Sequence, residues 1–68
     1  MTDIKGQVGE TAGCIWKTLS VEGPQTLAQL KRRLKGTGEL VLLAVGWLAR
    51  EDKIELATER KDLRIQLK

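Results

Sequence analysis

The sequence contains no histidine, no phenylalanine and no tyrosine, and only one cysteine, Cys14, and one proline, Pro24. Without histidine or a second cysteine, neither a Cys/His zinc site nor an intramolecular disulfide can be assembled, so no metal is expected. A lone thiol fits a reducing compartment and a small packing side chain, and Cys14 is given no functional role. The missing histidine also thins the catalytic inventory: Ser20 is the sole serine, and the nine acidic residues stand mostly beside basic ones. Neither enzyme activity nor a cofactor is expected. Gly36-Thr37-Gly38 lacks the further glycine and the lysine of a phosphate loop and reads as a connector. No run approaches the roughly 20 apolar residues needed to cross a bilayer, and Met1-Thr2-Asp3-Ile4-Lys5 lacks the apolar centre of a signal peptide. The expected location is the cytoplasm, away from membranes.

What is present is a 68-residue chain, 41% apolar and 31% charged, which fits a single folded domain over residues 1–68. A chain this short buries only roughly 60% of the surface it exposes when unfolded. Trp16 and Trp47 are its only aromatic residues, so the core must be mainly aliphatic. Small domains usually gain stability from disulfides, metals, partner subunits or very regular helix packing. With the first two excluded, self-association leads, and a homodimer is expected.

Ile4, Val8, Ala12, Ile15 and Leu19 recur at helical spacing and predict a first helix from Ile4 to Leu19, broken at Val21-Glu22-Gly23-Pro24. Thr26, with Gln29 three residues on, forms a capping-box pattern for a second helix, whose leucines Leu27, Leu30 and Leu34 face inward and whose end falls near Lys35. Lys35-Gly36-Thr37-Gly38 turns the chain into a third helix over about Glu39–Glu51. That helix is apolar on two sides: Leu40, Ala44, Trp47, Leu48 and Glu51 share one face, expected to be the core face, and Leu42, Val45 and Ala49 the other. Beyond Asp52 the pattern alternates, placing Ile54 and Leu56 on one side of a strand and Leu63, Ile65 and Leu67 on the same side of the next, around a connection over Ala57–Asp62. A hairpin with one apolar face must lie on the helices, and Gly23-Pro24-Gln25 offers a short third strand to its edge. The fold class is mainly α with a small β-hairpin.

Leu43-Ala44-Val45-Gly46-Trp47-Leu48-Ala49-Arg50-Glu51-Asp52-Lys53-Ile54, together with Ala12-Gly13-Cys14-Ile15-Trp16, resembles a family of small stand-alone bacterial winged helix-turn-helix proteins of unknown function. The resemblance spans nearly the whole chain. It implies a winged helix-turn-helix, three helices plus a two- or three-stranded wing, and a homodimer. Winged helices generally carry a glycine at the exit of the third helix; here Asp52 takes its place, and Asp tolerates the left-handed backbone such a stop needs.

For a winged helix, DNA is the first partner to weigh. Lys31, Arg32, Arg33 and Lys35 form a run with no acidic residue between Gln25 and Gly38, and Arg60-Lys61 mark the wing tip between Glu59 and Asp62. These six are the candidate phosphate contacts, and the same residues read equally as a solvated helix face and a mixed-charge loop. The net charge of +3 favours polyanions only mildly. Thr37, Glu39, Leu42, Val45, Gly46 and Ala49, on the outward side of the third helix, include no side chain suited to bidentate purine contacts, so base reading is not expected. The alternative is a protein-interaction or dimerisation module. Its candidate interface is the Leu42, Val45 and Ala49 strip, with Gly9, Gly13 and Trp16 on the first helix, where Gly6, Gly9 and Gly13 cluster on one side. The occupant is then a second copy or a separate protein.

Overall fold

The computed structural model describes residues 3–34 and 37–68. The elements follow in the order α1 (Ile4–Glu22), β1 (Gln25–Thr26), α2 (Leu27–Arg33), α3 (Gly38–Arg50), β2 (Ile54–Glu59) and β3 (Asp62–Leu67). The architecture is a winged helix-turn-helix domain, three helices followed by the wing. Lys35 and Gly36 of the expected connector lie outside the described residues, as do Met1 and Thr2.

Each helix begins where a short polar side chain can satisfy the free amides of the first turn. Asp3 accepts from the Lys5 amide at 3.1 Å and Thr37 from the Leu40 amide at 3.1 Å. At α2 the capping box is complete: the Gln29 amide donates to Thr26 Oγ1 at 3.2 Å, and the Thr26 amide donates to Gln29 Oε1 at 2.8 Å. Helix α1 outlasts the expected Leu19 and stops at Gly23, whose φ of 86° and ψ of −166° suit glycine and whose amide donates to the Leu19 carbonyl. Helix α2 ends two residues sooner than expected, with the Leu34 amide closing onto the Leu30 carbonyl at 2.9 Å.

Pro24 releases the chain into β1, which pairs with β3 through Gln25↔Ile65 and Thr26↔Arg64. Strand β3 is central, in the antiparallel order β1-β3-β2. The hairpin is longer than the sequence suggested. Residues 57–59 and Asp62, expected in the connection, pair as Ala57↔Arg64, Thr58↔Leu63 and Glu59↔Asp62, leaving Arg60 and Lys61 at the tip. Residues 57–59 are exposed on both faces of the strand, so this outer part of the ladder lacks the apolar alternation that would have marked it as strand.

The core consists of Ala12, Ile15 and Leu19 from α1, Leu30 from α2, Val41, Ala44, Val45 and Leu48 from α3, and Ile54 and Ile65 from the sheet. Val45 is 2% exposed, which corrects its expected place on an outward strip, and Ala49 packs partly against the core. The inward residues of α3 repeat as i, i+3, i+4 and i+7 from Val41, so the helix is rotated from the expected phase and Trp47 is turned outward, 52% exposed. Ile4 and Leu56 are also exposed rather than buried. The first lies in the opening turn of α1; the second sits on edge strand β2, of which only Ile54 is buried, α3 packing on β2 while α1 and α2 pack on the central strand β3. No helix among the described residues is long and apolar enough to cross a membrane.

Candidate functional site

The basic candidates among the described residues do not form one cluster. Lys31 on α2 lines an open groove together with Arg60 and Lys61 at the wing tip, which β1 places beside α2 by running from the β3 edge straight into the helix. The stem of Lys31 lies along the start of α3: a Cβ at Gly38 would stand 3.3 Å from Lys31 Cε. Arg60 has a φ of 58°, the left-handed conformation that turns the two-residue tip. Glu59 and Asp62 line the same groove, so its positive charge is partly offset. Asp62 is turned onto its own strand, accepting from the Leu63 amide at 2.8 Å.

The remaining cations behave differently. Arg33 Nη2 lies 3.1 Å from Glu22 Oε2, tying the end of α2 to the end of α1 and compensating its own charge. Arg32 is exposed on α2. Lys35 lies outside the described residues.

Helix α3, the base-reading element of a helix-turn-helix, turns Glu39, Leu42, Leu43, Gly46, Trp47 and Arg50 toward solvent. Its N-terminal half thus offers DNA one carboxylate and two leucines. Arg50, in the last turn, is the cation the sequence reading passed over, because its position opposite the core depended on the rotation of the helix.

The second feature is an apolar groove between α1 and α3. Ile4, Val8, Gly9, Leu43 and Trp47 line its middle. Towards one end it continues through Gly9, Gly13, Trp16, Trp47 and Lys53, and towards the other through Ile4, Gln7, Glu39, Leu40 and Leu43. Ile4, Trp16, Leu43 and Trp47 are each about half exposed. Among the described residues a Cβ at Gly9 or Gly13 would meet nothing within 4 Å, so these glycines leave open space beside both indoles. Gly9, Gly13 and Trp16 therefore come together on one face, as their spacing predicted, whereas Leu42, Val45 and Ala49 do not. Only Leu42 of that strip is exposed. Ile4, Leu43 and Trp47 belong to the face instead, and the i, i+4 spacing of Leu43 and Trp47 was the available signal.

Comparison with known proteins agrees with this architecture. An uncharacterized protein of Methanocaldococcus jannaschii is 42% identical over 71 residues, covering 100% of both chains. That relative is archaeal, so the expected restriction to bacteria is not upheld. Residues 1–67 match the winged helix-turn-helix domain (DUF2582) family, and the chain belongs to it.

Proposed function

We propose that this domain is a nucleic-acid-associated module that grips the phosphate backbone along its α2–wing edge and leaves bases unread. The observation that carries the proposal is the shared groove of Lys31, Arg60 and Lys61, which joins a helix and a wing tip far apart in sequence. Cations so placed bind phosphates without sequence information, each neutralised phosphate adding to the salt dependence. Arg32 extends the edge; Arg33, held by Glu22, contributes less. The outward side of α3 supports the same division of labour, since its N-terminal half has nothing to pair with a purine edge.

Titration of labelled duplex DNA at about 50 mM and 200 mM salt tests the proposal, with log K expected to fall by roughly 0.9 per tenfold rise in salt for each phosphate contacted. Replacing Lys31, Arg60 and Lys61 together by glutamine is expected to flatten that slope by about three contacts, with little difference between unrelated duplexes. No binding by micromolar protein at the lower salt overturns it. A second reading, a protein-interaction module that uses the winged helix as a scaffold, is favoured by the exposed Ile4, Leu43, Trp16 and Trp47 face.

A further inference from the structure

We infer that the outer edge of strand β2 is a docking site for an extended, basic segment of another polypeptide, which adds to the sheet as a further strand. This goes beyond the nucleic-acid reading and does not rest on it: of the β2 residues only Glu59 also lines the α2–wing groove.

The first argument is backbone pairing. The Lys68 amide donates to the Lys53 carbonyl at 3.2 Å, continuing the register of the β2–β3 ladder. In an antiparallel pair bonded and non-bonded positions alternate, so Lys53, Glu55, Ala57 and Glu59 turn their amides and carbonyls toward β3, while Ile54, Leu56 and Thr58 turn theirs away. Ile54 is buried, but Leu56 and Thr58 are exposed, and among the described residues no backbone group beyond the ladder bonds to them. Such an edge is a template for another strand, and native sheets usually blunt it by shortness, proline, lysine, a bulge or a covering segment. Edge strand β1 is blunted: it has two residues, follows Pro24 and runs directly into α2. Strand β2 has six residues without proline, lysine or glycine, pairs without a bulge from Ile54↔Leu67 to Glu59↔Asp62, and is exposed over residues 55–59.

The second argument is the chemistry of the two faces. Glu55, Ala57 and Glu59 share the face turned away from the helices, beside Asp62, Arg64 and Gln66 of β3. Glu55, Ala57, Arg64 and Gln66 line a hollow there, and Gln66 Nε2 donates to Glu55 Oε1 at 3.2 Å, which holds that carboxylate on the face. Arg64 stands across from Ala57 and forms no ion pair with either glutamate among the described residues. In a strand laid along β2, the residue opposite Ala57 is diagonal to both Glu55 and Glu59, within reach of a lysine or arginine side chain. On the other face Leu56 is 43% exposed next to buried Ile65, so an apolar side chain opposite Leu56 extends the core. The segment that fits alternates basic and apolar residues.

The third argument is what the edge turns away. Antiparallel pairing of β2 with its own copy over residues 55–59 sets each Glu55 opposite Glu59 of the second copy, and like charges directly opposite are destabilising. The same carboxylates repel phosphate. On a chain whose net charge is +3, this acidic edge selects a cationic strand.

Amide NMR of the isotope-labelled chain tests the inference, with a peptide alternating valine and lysine and matched in length to β2 added to about 2 mM at about 50 mM salt. The Leu56 and Thr58 amides are expected to shift, and their hydrogen exchange to slow by roughly tenfold or more once peptide exceeds its dissociation constant by that factor. The Glu55, Ala57 and Glu59 amides, already bonded to β3, should change little. A peptide N-methylated on its valine amides keeps the charges and side chains but loses the bonds to β2, and should not bind. Glutamate in place of the lysines should weaken binding by roughly tenfold, and Glu55→Lys with Glu59→Lys should invert that preference, a reversal that a folding defect does not produce. Absence of any shift at the highest concentration overturns the inference. So does binding that the N-methylated peptide reproduces, a perturbation centred on the α1–α3 groove, or protection of Leu56 and Thr58 that rises with protein concentration and needs no peptide, the sign of a second copy.

Discussion

The Lys53 amide reaches back five residues to the Leu48 carbonyl at 3.1 Å, closing α3 over Asp52. The Asp52 amide donates to the Ala49 carbonyl at 3.1 Å, and Asp52 itself has a φ of 60°. Together these bonds make the paired 6→1 and 5→2 helix stop that usually carries glycine. Asp52 also binds the Lys68 ammonium, which fastens the end of the chain to this turn.

Substitutions at Asp52 should therefore separate backbone strain from charge. The Lys68 pair is exposed and contributes a few tenths of a kcal/mol at most, whereas a left-handed L-residue costs roughly 1–2 kcal/mol. Asp52→Gly is expected to stabilise the domain by about 0.5–1 kcal/mol, and Asp52→Val to destabilise it by about 1–2 kcal/mol. Urea unfolding measures both; a destabilised glycine variant would mean that the ion pair outweighs the backbone.

Gly23 is a stricter case. Its φ of 86° with ψ of −166° lies where only glycine is comfortable, yet a Cβ there would touch nothing within 4 Å. The cost of Gly23→Ala is thus conformational, and about 1–3 kcal/mol of lost stability is expected in thermal or urea melts. An unchanged melting temperature would show that the turn before Pro24 relaxes freely.

The features read correctly from sequence share one property: they are local. Gly23-Pro24 stops a helix and Thr26 with Gln29 starts one through contacts within four residues, and Asp52 bends the chain by its own backbone. The rotation of α3 is different. From Leu40 to Ala49 that helix is apolar apart from Gly46, so its pattern has no clear phase, and α1 and the sheet decide which arc is covered. Trp47, the bulkiest side chain on the helix, reads as core from size alone and lies on the surface because Val41, Ala44, Val45 and Leu48 fill the interior. The groove beside α1 was half legible for the same reason: Gly9, Gly13 and Trp16 declare a face through their spacing, while Leu43 and Trp47 join it only once α3 is placed. The meeting of Lys31 with the wing tip depends on the β1–β3 pairing, a non-local contact that Gln25 and Thr26 are too few to announce.

The capping box at α2 permits a graded test. Thr26 receives the Gln29 amide and donates its own amide to the Gln29 side chain, so Thr26→Ala removes one of two reciprocal bonds and should cost about 1 kcal/mol. In a domain of this length that corresponds to a melting temperature lower by roughly 4–8 °C. Thr26→Ser keeps the hydroxyl and is expected to stay close to the parent. If serine melts as early as alanine, it is the methyl of Thr26 in β1, not the cap, that matters.

The rotation of α3 is tested by comparing two aspartates on the same helix. Val45 is 2% exposed among Ile15, Leu30 and Ile65 of the core, whereas Leu42, three residues away, is 48% exposed. A carboxylate at position 45 would be buried without a partner, a loss of about 3–5 kcal/mol that takes most of the stability of a small domain. Val45→Asp is therefore expected to be largely unfolded by circular dichroism at neutral pH. Leu42→Asp exchanges one half-exposed leucine for a solvated charge and should stay within about 1 kcal/mol of the parent. The opposite ranking, a folded Val45→Asp beside a destabilised Leu42→Asp, would mean that α3 presents its Leu42, Val45 and Ala49 side outward after all.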